Sequence, residues 1–249
     1  VLEQVLKSDK PTVVCLLGGD ISGMKVPAHV YPVTTLQEAG LLAARLAGAK
    51  IPDPRQSIAS ETEELRILGK QMAQKLNPTQ KCLRALFSGG TLCYEAQVIW
   101  RELFPGKVFS NAPLEDAFQM PDSTRSEGSV AVDLGEEEFT VGRPHPMIDN
   151  DLRIRRLLQE GHDPQVGVIM LDVVIGYGAH PDPAAELGAA IQQARREAAA
   201  AGREVLFVAS VTGTELDPQS LSRTTETLKA AGVTVCGSNA AAARLVAFI

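Results

Sequence analysis

Three short polar segments of this chain have the composition of anion sites. The first is Ser88-Gly89-Gly90-Thr91, which follows the apolar run 82–87 and precedes a helical pattern with Leu92, Ala96, Ile99, Trp100 and Leu103 in step. A strand, a glycine turn and a helix in that order leave the first helical N–H groups unpaired at the strand's carboxyl end, where a phosphate or carboxylate fits. A plain strand-to-helix turn with Thr91 as cap explains the same residues. The run is neither a P-loop, having no Lys at the helix start, nor a dinucleotide fingerprint. The second segment, 172–180, carries Gly176 and Gly178. The third, 210–215, carries Thr212, Gly213 and Thr214. An Asp-Pro pair closes each of these two, Asp182-Pro183 and Asp217-Pro218. Asp as cap with Pro at the first helical position accounts for both pairs, so neither aspartate is a catalytic candidate.

A fourth segment, 140–149, reads Thr-Val-Gly-Arg-Pro-His-Pro-Met-Ile-Asp. Arg143 and His145 each precede a proline, which disfavours the α region and holds both residues extended. Two apart on extended chain, they point to one side. Arg143 offers a bidentate fork for an anion, and His145 a tunable donor or acid. These two are the catalytic candidates. A solvated proline loop is the structural alternative. His29, His162 and His180 are weaker candidates.

The elements that must position these groups alternate. From Lys81 onward strands are expected at 82–87, 129–132, 166–171, 204–209 and 233–236. Helices are expected at 92–103, 150–160, 183–200, 218–231 and 239–247, the one at 150–160 capped by Asp149. That alternation, with apolar strands such as 166–171, predicts an α/β fold with a doubly wound, mostly parallel sheet buried on both faces. Ligands in such sheets bind outside the carboxyl ends of the strands, where the three glycine segments fall. Upstream, residues 1–50 read as helix, strand (12–17), loop and helix. That is the C-terminal part of a second α/β domain whose remainder lies further upstream. Residues 51–80 read as a linker with a helix from a capping box at Ser60 and Glu63. Residues 81–249 form the main domain.

The chain has 249 residues and a net charge of −6, and it has no block of Lys and Arg. Nucleic acid is therefore not an expected partner. No apolar run approaches the roughly 20 residues of a membrane span. Cys15, Cys82, Cys93 and Cys236 lie in apolar contexts without CxxC spacing. They read as reduced cytoplasmic thiols, not a disulfide set or a metal site.

Four motifs in the same order, at 87–96, 139–149, 171–179 with Asp182-Pro183, and 211–215 with Asp217-Pro218, resemble the FdrA family. That family is similar to the α subunit of succinyl-CoA synthetase and to NDP-forming acyl-CoA synthetases. The similarity covers 81–249 and, more weakly, 1–48. It implies a flavodoxin-like CoA-ligase domain, with CoA bound by a Rossmann-like domain upstream and no cofactor held by this chain itself. Synthetase α subunits carry a phosphorylated His in a Gly-His-Ala-Gly loop. Here the segment 18–25, in the comparable place, has no His, so no phosphohistidine is expected. The family is also associated with oxamate carbamoyltransferase, which makes oxalurate and phosphate from oxamate and carbamoyl phosphate. The resemblance thus implies a subunit of a homo- or hetero-oligomer. Its ligands would be an acyl phosphate, carbamoyl phosphate or CoA thioester, together with a small carboxylate. An acyl-CoA synthetase subunit and a noncatalytic assembly subunit are the alternatives.

Overall fold

The computed structural model describes residues 5, 7–21 and 23–249, and the helix expected over 1–6 falls almost wholly outside them. Strands β1 (Thr12–Cys15) and β2 (Val30–Val33) pair in parallel. Helix α1 (Leu36–Leu46) follows, and the Thr35 side chain accepts from Glu38 N as its cap. Helix α2 (Pro54–Ala73) begins earlier than the Ser60 capping box suggests. Asp53 accepts from the N–H groups of Arg55 and Gln56, and Pro54 occupies the first turn, so the Asp-Pro pair wins.

The main domain runs β3 (Cys82–Phe87), α3 (Gly90–Leu103), β4 (Val108–Ser110) and, after a 3₁₀ turn, β5 (Ser129–Asp133). Then come α4 (Glu137–Thr140), α5 (Asp151–His162), β6 (Val166–Val174) and α6 (Pro183–Ala200). β7 (Leu206–Thr212), α7 (Leu221–Ala230), β8 (Val233–Cys236) and α8 (Asn239–Ala247) complete it. The six strands lie in the order β4-β5-β3-β6-β7-β8, and every pair is parallel. β4 had no signal in the sequence: it is three residues long and sits at the sheet edge. β6 and β7 run further than their apolar cores, carrying Asp172 and Thr212 within the strands.

The sheet is covered on both faces, as its unbroken apolar strands require. Leu86, Val132, Ile169, Leu171 and Phe207 point toward Leu157 of α5, Leu187 and Ile191 of α6 and Leu228 of α7. Leu83, Ala85, Phe87, Met170 and Val208 point toward Ala96 and Trp100 of α3, Leu245 of α8 and Met72 of α2. At about 1.5–3 kcal/mol for each large apolar side chain buried, these two layers dominate the fold's stability. The linker helix is therefore part of the second layer. Its Gly69 leaves no room for a Cβ beside Phe248 and Leu245, so α2 lies directly on the end of α8.

A buried carboxylate fixes the N-terminal unit to this frame. Glu95 of α3 accepts from the backbone N–H of Leu36 (2.7 Å) and Gln37 (3.2 Å) at the start of α1, and from Asn239 Nδ2 (2.9 Å). The charge sits where the helix dipole favours it.

The chain leaves β3 for one face and β5 and β6 for the other. The direction of winding therefore reverses at β3, which puts the sheet's switch point, where ligands of such folds bind, beside its carboxyl end.

Candidate functional site

The switch point is built on three strand ends. Phe87 pairs with Asp133, and Leu86 with Leu171, so Ser88, Asp133 and Asp172 sit side by side where β3, β5 and β6 finish. Asp172 is buried in an otherwise apolar strand and is fully occupied. It accepts from Ser88 N (2.9 Å) and Ser88 Oγ (2.5 Å), and pairs with Arg153 of α5 at 3.0 Å. Arg153 also donates to the carbonyls of Leu86 and Asp172. The Ser88 hydroxyl thus serves the frame and does not cap α3.

Helix α3 begins without any side-chain cap. Gly89 is the cap residue in extended backbone, and no side chain accepts from the first turn. Its leading N–H groups have no side-chain acceptor among the described residues. Thr91, the alternative cap, is instead the second helical residue and is exposed. A Cβ on Gly90 would stand 3.0 Å from Asp133 Oδ2 and 3.4 Å from the Tyr94 ring, so this glycine lets helix and carboxyl approach each other.

Asp133 is buried. Its Oδ1 accepts from Gly135 N (2.8 Å), its backbone is held on both sides by Asn111, and its Oδ2 has no hydrogen-bond donor among the described residues. Burial pushes its carboxyl up to about 6, the Gly135 N–H opposes this, and Glu136 and Asp172 add to it.

His145 reaches the same niche. A Cβ on Gly135 would stand 2.9 Å from His145 Nε2, 3.1 Å from Asp133 Oδ1 and 2.7 Å from the Ser88 carbonyl, so only glycine fits between them. His145 Nδ1 accepts from Met147 N (3.2 Å), which leaves Nε2 to carry the hydrogen of the neutral ring and to face the niche without a partner among the described residues.

Arg143 does not join it. The 140–149 segment is two successive turns instead of one extended run, with Arg143 N bonded to the Thr140 carbonyl and Ile148 N to the His145 carbonyl. The prolines restrict each residue but do not align them. The Arg143 side chain is exposed and without a partner among the described residues. It lines an outer cleft with Ser123, Glu138, Arg155 and Gln159, on which none of the niche residues opens. Of the three arginines of α5, Arg153 and Arg156 are buried in ion pairs and Arg155 is bonded to Asp151 at 2.7 Å. Asn150, not Asp149, is the cap residue of α5, and Asp149 Oδ1 accepts from Asp151 N (2.8 Å).

The other two glycine segments close on themselves. Gln219 accepts from Gly176 N (3.1 Å) and donates to the carbonyls of Gly176 and His180 (2.9 Å each). Asp217 accepts from Thr214 N (2.6 Å) and Thr214 Oγ. Asp217 is therefore not the cap of α7. Ser220 takes that place, accepting from Arg223 N, and the helix starts later than Asp217-Pro218 suggests. Asp182 does cap α6, accepting from Ala185 N, with Pro183 in the first turn. Gly176 and Thr214 thus have no free N–H for an anion. Thr212, Gly213 and Gly178 are exposed beyond them, and Gly213 is held at φ +157° against Ile175. His162 pairs with Glu197 and His180 with Glu186.

Sequence reasoning missed Asp133, Asp172 and Gly135. Each aspartate carried a signal, since Asp133 ends an apolar strand and Asp172 interrupts one. No cluster of His, Cys, Asp and Glu suited to a metal occurs among the described residues, the cysteines are free, and no helix is long and apolar enough to cross a membrane.

A doubly wound sheet with an open helix start at its switch point defines a class of α/β ligand-binding domains. Comparison with known families makes the class specific. Residues 86–249 match the family model described as CoA-ligase, and the chain belongs to that family, whose domain is of the succinyl-CoA synthetase α kind. The matched residues contain the whole niche and exclude the 18–25 segment, so the comparison with the Gly-His-Ala-Gly loop lies outside them. The chain is also 38% identical over 239 residues to the uncharacterized protein YahF of Escherichia coli (strain K12). The match takes in 96% of this chain but 45% of that protein, so the chain spans less than half of its relative's length.

Proposed function

We propose that this domain works as a succinyl-CoA synthetase α-like subunit that receives the phosphate oxygens of an acyl or carbamoyl phosphate at the start of α3. The observation that carries this reading is the uncapped first turn of α3 beside Asp133, at whose other carboxyl oxygen His145 Nε2 comes in against Gly135. Cleaving an acyl or carbamoyl phosphate leaves negative charge on the departing phosphate. Helix N–H groups aimed at that charge stabilise it without reorganising, and a positioned imidazole N–H donates to it. The buried ion pair of Arg153 with Asp172 holds Ser88, and with it the turn, in place.

The finer reading is carbamoyl transfer from carbamoyl phosphate to oxamate, giving oxalurate and phosphate. It rests on the FdrA resemblance, and cytoplasmic purine or allantoin breakdown would be its setting. The other reading, acyl-CoA synthesis, would draw on CoA held elsewhere in the assembly. Measuring phosphate release by the full-length protein with its partner subunits separates them. Release from carbamoyl phosphate that depends on oxamate supports the first. Turnover only with CoA, a carboxylate and a nucleoside triphosphate moves the assignment to the second. An assembly role is favoured by one observation of its own. Tyr177 and Leu216, each 91% exposed, project from the closed loops after β6 and β7, where a partner subunit would cover them. Turnover by neither substrate set, with a partner's activity still requiring this chain, would establish that role.

A further inference from the structure

We infer that Asp133, in its acid form, is a hydrogen-bond donor to the oxyanion at the start of α3, so that anion and proton bind together. This rests on the reading of the α3 N-terminus as an anion site and adds which protonation state that site requires. Asp133 Oδ2 lies 3.0 Å from where a Gly90 Cβ would be, so an oxyanion reaching the first N–H groups of α3 comes up against this atom. Two anionic oxygens in contact repel, whereas a carboxyl O–H facing an anionic oxygen gives a short, strong hydrogen bond.

The surroundings favour the acid form. Glu136 in the following loop and Asp172 on β6 are carboxylates near Asp133. The guanidinium of Arg153 is paired with Asp172. Tyr94 and Cys93 face Asp133 from α3, and Asn111, from the loop after β4, holds only its backbone. His145 is the one group of the 140–149 loop at the niche. Among the described residues the N–H of Gly135 is the single donor to the carboxyl, and it engages Oδ1, leaving Oδ2 for the ligand. With the carboxyl already raised to about 6, a bound anion raises it further.

The test uses sulfate, which does not itself titrate between pH 5 and 8, and calorimetry in buffers of differing ionisation enthalpy. Sulfate affinity should fall about tenfold per pH unit above pH 6, with close to one proton taken up per sulfate at pH 8. Asp133→Asn should remove both the slope and the proton uptake, and bind sulfate more than about tenfold tighter than wild type at pH 8. Histidine titrates in the same range and produces a slope of the same sign, so His145→Gln is the control and should keep the slope. A wild-type affinity that is flat with pH overturns the inference and leaves the anion site standing. So does a slope lost in His145→Gln and kept in Asp133→Asn. No sulfate binding at any pH overturns the anion site itself and this inference with it.

Discussion

The two halves of the sheet's carboxyl edge are built from similar residues and end differently. Around β3 and β5, the polar groups of the turn are left open: among the described residues α3 has no side-chain cap, and Asp133 Oδ2 and His145 Nε2 have no hydrogen-bond partner. Around β6 and β7, glycines and hydroxyl residues of the same kind are satisfied within the loops, Gly176 by Gln219 and Thr214 by Asp217. A side chain that reaches a glycine turn can cap it, whether from three residues away, as Asp217 does for Thr214, or from 43, as Gln219 does for Gly176, and that decides whether the turn remains available to a ligand. Buried polar groups are normally paired. In the closed half the loop groups meet that rule within the chain, while Ser210 Oγ, buried within β7, has no partner among the described residues; the open half leaves Asp133 Oδ2 and His145 Nε2 to water or a ligand.

Removing the frame beneath the open half should have the largest effect. Asp172→Ala strands the buried Arg153 guanidinium and frees Ser88, which should cost on the order of 3–5 kcal/mol of stability in denaturant unfolding. A cost below about 1 kcal/mol would mean that the pair does not hold the turn. Gly90→Val should next separate ligand binding from folding. Its side chain would press on Asp133 Oδ2 and the Tyr94 ring, so sulfate affinity should fall at least about a hundredfold, ~3 kcal/mol, while the melting temperature changes little. Unchanged affinity would show that the open helix start is not used.

Two substitutions sharpen the contrast by stability. The folded-state pKa of Asp133, about 6, lies above its usual value, so the folded state holds a proton that the unfolded chain has released. The sign follows: this carboxyl favours folding at pH 4, and that contribution is lost as pH rises through about 6. Asp133→Asn should therefore be neutral at pH 4 and stabilising by roughly 1–3 kcal/mol at pH 8. Equal effects at both pH values would contradict the shift. On the closed half, Gln219→Ala leaves the Gly176 N–H and the carbonyls of Gly176 and His180 without their partner. It should cost about 1–3 kcal/mol and leave sulfate affinity unchanged.

Much of this was legible in the sequence, and the exceptions have physical causes. Strands of four to six apolar residues and helices with Asp-Pro or Ser starts were read to within a residue or two, as at β3, α6, β8 and α8. Local chemistry settles those elements. α2 and α7 were misplaced because two local signals compete at each start, and side-chain capture decides between them: Asp53 caps α2, whereas Thr214 captures Asp217 and Ser220 caps α7 instead. In the site, Ser88 to Thr91 were legible as a turn, and His145 as a rigid side chain. Asp133 and Asp172 belong to strands that only the sheet order brings beside β3. Gly176 looked available because its partner, Gln219, lies 43 residues further along the chain and leaves no short-range pattern, whereas the partner of Thr214, Asp217, stands three residues on and reads in the sequence as a helix cap.

Arg143 provides the smallest expected effect and the finest test of the comparison. On sequence grounds it shares one face of an extended segment with His145. In the folded chain the two residues belong to separate turns, and Arg143 projects into the outer cleft with Arg155. An exposed guanidinium acts on the niche only through water and counter-ions, which screen charges beyond about 8–10 Å at physiological salt. Arg143→Lys and Arg143→Ala should each change sulfate affinity by less than about threefold in the isolated chain, well under 1 kcal/mol. Lys keeps the charge and loses the fork, so the two variants separate field from contact. Similar small losses in both fit a distant charge. A loss of about a hundredfold in both variants would mean that the 140–149 loop moves and brings Arg143 to the anion, joining the outer cleft to the niche. A loss that appears only when partner subunits are present would place Arg143 at their interface.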